Sequence, residues 1–292
     1  MKFGEISKTT VIGAGTMGAQ IADLLSRIGG YKVNMVDIND DLVRKGFQLI
    51  DQRLERFFVS KGKITAEEKR MIMNRIKGYT SIEEAARGAD LAIEAVVEKM
   101  AIKKEIFKKL DEVAPVHAIL ASNTSYLNIS EMASATKRPE KVVGIHFFNP
   151  VAVMQLVEVV RGGRTSDETI GVACDLAKTL GKEPVVCRDT SYGFLANRAY
   201  RVFIEEAVQM VWERVATPEE IDKALKLGYN LPMGPLELGD MVGGWSIRAS
   251  SEEDAIKELG SEKGRLHPLT RAMVRAGYNK IYDYWREVLS KS

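Results

Sequence analysis

The chain has 292 residues, 45% of them apolar, enough for two folding units of roughly 150 residues and too many for a disordered or fibrous protein. Its 42 basic and 40 acidic residues leave a formal charge of +2, which excludes the concentrated positive field of a general nucleic-acid binder. Two cysteines, Cys174 and Cys187, with no Cys-x-x-Cys pair, signal neither a disulfide framework nor a zinc site, and no metal is expected.

Short β-branched runs at 9–12, 32–37, 90–95, 119–122, 142–148 and 156–160 alternate with longer helical patterns. That alternation predicts an α/β domain over residues 1–188, with a doubly wound, Rossmann-type parallel sheet. Between the second and third runs, the charged helical stretch 41–75 breaks at Lys61-Gly62-Lys63. It restarts at the capping-box pattern Thr65-Ala66-Glu67-Glu68, which predicts a helical hairpin projecting from the sheet. The apolar stretch 142–160 is interrupted by His146, Asn149, Pro150, Gln155 and Glu158, so it reads as two strands around a turn and not as a membrane span.

After Asp189 the strand signal stops, and a smaller all-α domain is expected over 189–292. Residues 195–215 carry apolar side chains at helical spacing, among them Val202, Phe203, Ala207, Met210 and Val211. Thr217-Pro218-Glu219-Glu220 opens the next helix, which Gly228 can end. The ends of the chain show neither an apolar leader nor a lipidation signal, so the cytoplasm is the expected compartment.

Gly13-Ala14-Gly15-Thr16-Met17-Gly18 follows the first strand and opens a helix whose inner face is Ile21, Leu24, Leu25 and Ile28. The glycines allow a tight turn and close approach of backbone to a pyrophosphate, whose charge the helix N-terminus attracts. Asp37 ends the next strand, nineteen residues after Gly18, where its carboxylate can accept hydrogen bonds from ribose hydroxyls. A carboxylate repels a 2′-phosphate and no arginine follows it in Ile38-Asn39-Asp40-Asp41, so NAD is expected and not NADP. An Asp that merely starts a turn is the bland reading.

His146 and Glu158 lie twelve residues apart in two apolar runs, and a carboxylate on an apolar strand face is costly unless paired. A core histidine and a structural ion pair are the plain readings; beside a dinucleotide fold, the pair reads as a base and its orienting acid. Ser122-Asn123-Thr124-Ser125 follows a strand at the end where ligands of open α/β sheets collect, and would equally serve as a loop and helix cap. Lys61 and Lys63 are a solvated hairpin tip or a phosphate clamp.

These segments, with Glu94-Ala95-Val96-Val97-Glu98, His146-Phe147-Phe148-Asn149-Pro150, Leu156-Val157-Glu158-Val159 and Pro232-Met233-Gly234-Pro235, together resemble the NAD-dependent L-3-hydroxyacyl-CoA dehydrogenases, most closely the short 3-hydroxybutyryl-CoA members. The resemblance implies that His146 is the general base and Glu158 its partner, with Ser125 and Asn197 on the substrate's 3-oxygen and acyl portion. It implies cofactor contacts at Gly13, Gly15, Thr16, Met17, Gly18, Asp37, Glu98, Lys103, Asn123, Ser125 and Asn149, and a CoA contact at Lys61. It also implies an acyl-CoA partner, a role in fatty acid metabolism, and a homodimer formed through the C-terminal domain.

The chain departs from the family pattern in three places. Asp189-Thr190-Ser191-Tyr192-Gly193-Phe194 lacks the usual proline, residues 244–264 depart from the helical pattern, and the C-terminal tail leaves a cofactor-contacting lysine without a certain counterpart. Two other functions stay open: a dehydrogenase of a CoA-free hydroxy acid on the same fold, and a non-catalytic NAD(H)-binding protein. The dimer is expected from Ile204, Val208, Val211 and Trp212, which one short helical layer would leave uncovered.

Overall fold

The computed structural model describes residues 3–190, 192–241 and 244–291; Ser191, in the altered segment, lies outside them. The chain divides into two compact units, Met1–Thr190 and Ser191–Ser292.

The first unit is built on one sheet of β1 Lys8–Ile12, β2 Lys32–Val36, β3 Ile76–Tyr79, β4 Leu91–Glu94, β5 Ile119–Ser122, β6 Val142–Phe147, β7 Leu156–Arg161 and β8 Glu183–Arg188. The strand order is β3-β2-β1-β4-β5-β6-β7-β8. β1 to β6 are parallel, β7 reverses against β6, and β8 follows β7. Helices cover the sheet: α1 Thr16–Arg27, α2 Asp40–Leu54, α3 Ala66–Asn74, α4 Ile82–Ala86, α5 Met100–Val113, α6 Ile129–Ala133 and α7 Asp167–Thr179. With both faces covered, the central strands β4, β5 and β6 are buried at every position, as expected for a parallel core. The order changes direction between β1 and β4, and the crevice at their carboxyl ends is where such sheets take ligands.

β3 and β8 gave no sequence signal because both are sheet edges. Each buries a single residue, Ile76 and Cys187, so neither shows an apolar run. α1 is covered more fully than its apolar stripe suggests. Ile21, Leu24 and Leu25 face inward, but so do Gln20, Asp23 and Ser26, while Ile28 is 46% exposed at the helix end.

Two elements cover α1: the loop after β6, which takes up Gln20, and the hairpin, which folds back onto the helix where a projection was expected. Ser26 Oγ donates to the Ile72 carbonyl at 2.7 Å, and the Arg27 guanidinium lies 4.1 Å from the centre of the Phe58 ring. The capping box forms as expected, Glu68 N–H donating to Thr65 Oγ1 at 3.1 Å and Thr65 N–H to Glu68 Oε2 at 2.6 Å. The tip residues Lys61, Gly62 and Lys63 are exposed, with Gly62 at φ +65° where a side chain would be strained.

The second unit contains α8 Ala196–Trp212, α9 Pro218–Tyr229, α10 Pro235–Met241, α11 Gly244–Ser250, α12 Glu252–Gly264, α13 Pro268–Arg275 and α14 Ile281–Glu287. Residues 244–264 are thus helical, with a break inside α12 at Gly260, φ +80°. The buried stripe of α8 is Ile204, Ala207, Val208 and Val211, at the i, i+3, i+4, i+7 spacing of one helix face. Val202 and Phe203 point away from it, 66% and 37% exposed. Ile204, Val208 and Val211 are fully covered by this unit's own core, with Leu236, Trp245 and Met273, which corrects the expectation that a partner subunit would cover them. Gly228 lies inside α9, and the left-handed cap is Asn230, φ +53°. Among the described residues no helix is long and apolar enough to cross a membrane.

Candidate active site

Two clusters form at the carboxyl ends of the strands. The first is the glycine turn. Gly13 adopts φ +102°, and a Cβ there would lie 2.6 Å from the Ala95 carbonyl oxygen, while one on Gly18 would lie 1.8 Å from the Gly13 oxygen. These two glycines are demanded by backbone packing. Gly15 is different: a Cβ there meets nothing within 4 Å, so its backbone borders open space at the start of α1. That is the room a pyrophosphate needs, in front of unpaired helix N–H groups.

Asp37 anchors to the same turn, its Oδ2 accepting Ala14 N–H and its Oδ1 accepting Ile38 N–H, both at 2.7 Å. A carboxylate has about four acceptor positions, so two protein donors leave it able to take ribose hydroxyls. The glycine turn, the open space at Gly15 and the half-buried Asp37 fit a dinucleotide. Thr16 is exposed and Met17 half-buried beside them.

The second cluster spans β5, β6 and β7. His146 and Glu158 are direct cross-strand partners in the antiparallel β6–β7 ladder. His146 Nδ1 lies 2.8 Å from Glu158 Oε2, and the two residues are 3% and 0% exposed. An ionised carboxylate only accepts, so the proton of a neutral ring sits on Nδ1 and Nε2 is left as the base. Nε2 lies 3.1 Å from Ser125 Oγ. The Phe148 ring, 4.5 Å away, packs against the imidazole.

The loop carrying Ser125 is held from below by residues in a relay. Glu98 accepts Ser125 N–H at 2.9 Å and Tyr126 N–H at 3.1 Å, and is also bonded by Thr124 Oγ1. Burial by itself raises the Glu98 carboxyl, but the Lys103 charge and the Thr124 and Ser125 hydrogen bonds outweigh it and leave the group below its ordinary value. Lys103 is 1% exposed, its ammonium 2.7 Å from Glu94 Oε1 and 3.1 Å from Glu98 Oε2. Glu94, fully buried, also accepts Val96 N–H at 2.7 Å and Ser122 Oγ–H at 2.6 Å. Asn123 Oδ1 accepts Phe147 N–H at 2.9 Å and ties the end of β5 to β6.

Of the residues singled out in the sequence, Ser125, His146, Glu158, Asn123 and Glu98 thus come together, as do the glycines and Asp37. Asn149 is exposed just beyond β6 and accepts a hydrogen bond from Gln20 of α1. Lys61 stands at the hairpin tip, and Asn197 is half-buried in the first turn of α8, in the second unit. Glu94 and Gln20 were not singled out. A glutamate closing an apolar strand, with a lysine nine residues on, was the available signal for the first; a single glutamine inside a helix gave none for the second.

In the second unit, Asp222 accepts Leu236 and Glu237 N–H at 3.0 and 2.7 Å and so caps α10. A Cβ on Gly234 would stand 2.2 Å from its carboxyl carbon, which explains the glycine of Pro232-Met233-Gly234-Pro235.

A model of the 3-hydroxyacyl-CoA dehydrogenase NAD binding domain matches residues 8–190, and one of the 3-hydroxyacyl-CoA dehydrogenase C-terminal domain matches residues 193–281. The chain is 44% identical over 286 residues to a protein of Bacillus subtilis (strain 168) named "Probable 3-hydroxybutyryl-CoA dehydrogenase", covering 96% of this chain and 98% of that one. It is 43% identical to a 3-hydroxybutyryl-CoA dehydrogenase of Clostridioides difficile, over 95% of this chain and 99% of that one. Its fold matches the crystal structure of (S)-3-hydroxybutyryl-CoA dehydrogenase PaaH1 from Ralstonia eutropha with a TM-score of 0.87 at 41% identity, over 94% and 95% of the two chains. Fold, glycine turn and sequence agree, and the chain belongs to the NAD-binding 3-hydroxyacyl-CoA dehydrogenase family.

Proposed function

We propose that the protein interconverts 3-hydroxyacyl-CoA and 3-ketoacyl-CoA, with the short 3-hydroxybutyryl-CoA as substrate, and that Ser125, His146 and Glu158 do the proton chemistry. The carrying observation is the line Ser125 Oγ, His146 Nε2, His146 Nδ1, Glu158 Oε2, with contacts of 3.1 and 2.8 Å, beside a dinucleotide turn. A protein that only binds NAD(H) needs no buried histidine–carboxylate pair.

NAD, when bound, accepts the hydride from the alcohol carbon. His146 Nε2 takes the hydroxyl proton, a task for which imidazole is suited near neutral pH. Glu158 stabilises the imidazolium that results and fixes the ring so that Nε2 faces outward. Ser125 donates to the substrate oxygen and holds it in line with Nε2. Lys103, clamped between Glu94 and Glu98, supports the Ser125 loop; Asn123 braces β5 against β6.

Asp37 holds the adenosine ribose, and Asn149 meets the cofactor near the reacting end. Asn197 contacts the acyl portion, and Lys61 meets the CoA phosphates as a mobile point charge. Two copies pair through the second unit, where Trp212 is 53% and Val215 64% exposed. A reducing compartment, the cytoplasm, suits the two free thiols.

The test is single-turnover oxidation of NADH with acetoacetyl-CoA, compared with acetoacetate and other free keto acids. Saturable turnover confined to the CoA thioester is expected; turnover of the free acids alone would refute the substrate assignment. Light scattering giving the mass of one chain at micromolar concentration would refute the dimer.

A further inference from the structure

We infer that Gln20 is a positioning residue that fixes which way round the Asn149 amide stands, and so presents the Asn149 NH2 group as a donor to the nicotinamide half of the cofactor. Gln20 is 3% exposed, in the second turn of the helix that follows the glycine turn. Its Oε1 accepts the Val151 N–H at 2.9 Å, and its Nε2 donates to the Thr16 carbonyl at 3.0 Å. A backbone N–H can only donate and a carbonyl can only accept, so these two groups fix the orientation of the Gln20 amide.

The same Nε2 lies 3.0 Å from the Asn149 side chain, which must answer a donor with its oxygen, Oδ1. Turned the other way, Asn149 would set two NH2 groups against each other. Its nitrogen therefore faces away from Gln20, and Asn149 is exposed.

The loop beyond Asn149 is held from the opposite side as well. Lys182, 6% exposed, donates to the carbonyls of Val151 and Met154. Val151 is 1% exposed, and both polar groups of its backbone are satisfied by buried side chains from distant parts of the chain, α1 and the turn before β8. This pinned loop joins the strand of His146 to the strand of Glu158. A cofactor with its adenosine at Asp37 and its pyrophosphate at the start of α1 has its other end toward β5 and β6, where hydride must pass next to His146. The inference rests on the proposed reading of Asn149 as a cofactor contact.

The test compares the dissociation constants of NADH and ADP-ribose, which share the adenosine and pyrophosphate, for Gln20→Met, Gln20→Glu, Asn149→Ala and the Gln20→Met/Asn149→Ala double variant. Gln20→Met keeps the length of the side chain and removes its polar links. It is expected to weaken NADH about tenfold, as for the loss of one oriented hydrogen bond, with ADP-ribose changed less than about twofold. Gln20→Glu keeps the bond to Val151 but sets an acceptor against both the Thr16 carbonyl and Asn149, whose amide turns over. NADH should weaken relative to ADP-ribose there too, whatever the added charge does to the shared pyrophosphate.

The double variant should bind NADH no worse than Asn149→Ala alone, because both changes remove one contact. Equal weakening of NADH and ADP-ribose by both Gln20 variants would mean that the residue only supports α1, and additive effects in the double variant would mean that it does not act through Asn149; either overturns the inference. Unchanged NADH binding in Asn149→Ala would instead strike down the underlying reading of Asn149, and the inference with it.

Discussion

Lys103→Met measures how much of the site's geometry depends on one buried cation. Methionine fills nearly the same space as the lysine stem, so the change removes the ammonium and little packing. It leaves Glu94, 0% exposed, with its Val96 and Ser122 donors but no counter-charge. Breaking a buried pair by removing one partner costs about 3–5 kcal/mol. The Glu98 side of the bridge adds little, about 1 kcal/mol or less, because more than a third of that side chain is exposed and solvent screens it.

For a protein of this size about 2–4 °C is lost per kcal/mol, so thermal unfolding followed by circular dichroism should show a drop of about 6–20 °C. The pH dependence carries a sign. Glu98 is held below its ordinary value in the folded state, so its contribution is present above the ordinary carboxylate range and fades as pH falls through the lowered value. The gap between parent and variant should therefore narrow in acid. Adding Glu94→Gln to Lys103→Met should restore most of the loss, since no buried charge is then left unpaired. A single variant within about 1 kcal/mol of the parent, or a double variant no better than the single, would refute the argument. An unchanged melting temperature with weakened NADH binding would assign Lys103 to the cofactor instead.

His146→Gln should lower turnover about 100-fold or more while NADH binding, measured by fluorescence titration, stays within about twofold, because the base is lost and the glycine turn is not; a variant keeping a tenth of the rate would rule out the assignment. Asp37→Ala should weaken NAD and relax discrimination against NADP, seen as a fall in the ratio of their kcat/KM values; a parent that already prefers NADP would contradict the role of Asp37. The Cys187 thiol, pushed up to about 12 by burial with the charges of Glu158 and Asp189 adding to it, should resist iodoacetamide in the folded protein at mildly alkaline pH and react after denaturation. Rapid labelling of the native chain at Cys187, read by mass spectrometry, would show the β8 edge to be open.

The central sheet was readable because its strands carry dense apolar runs set off by helical periodicity, and the dinucleotide turn because backbone packing leaves Gly13 and Gly18 no alternative. β3 and β8 were not readable, since an edge strand with one buried residue has no pattern to show. The stripe of α8 was misassigned for the opposite reason: Val202, Phe203, Ile204, Ala207, Val208, Met210 and Val211 are apolar on more than one face, and tertiary packing alone chooses Ile204, Ala207, Val208 and Val211. Ser125, His146 and Glu158 could be named from the sequence. Of the support beneath them, Lys103 enters the sequence reading only as a cofactor contact and Gln20 and Lys182 not at all, because all three belong to residue types that usually face water, and their burial follows from partners nine to 131 residues away.

The reversal of β7 is what makes the His146–Glu158 pair possible. In a parallel sheet, neighbouring strands need a crossover of a dozen or more residues, so partners on adjacent strands are far apart in sequence. Here the two strands join through residues 148–155, and His146 and Glu158, twelve residues apart, become direct cross-strand neighbours. The same economy makes the pair sensitive to register: a slip of one residue between β6 and β7 turns Glu158 to the opposite face of the sheet. Gln20 and Lys182 hold Val151 in the middle of that connection. One residue inserted between Asn149 and Met154 should therefore do more damage than one inserted at the tip between Lys61 and Lys63, even though both segments are loops. The first insertion must either bulge a pinned loop or shift Glu158 off His146, while the second lengthens an exposed turn in which a Cβ on Gly62 would meet nothing within 4 Å.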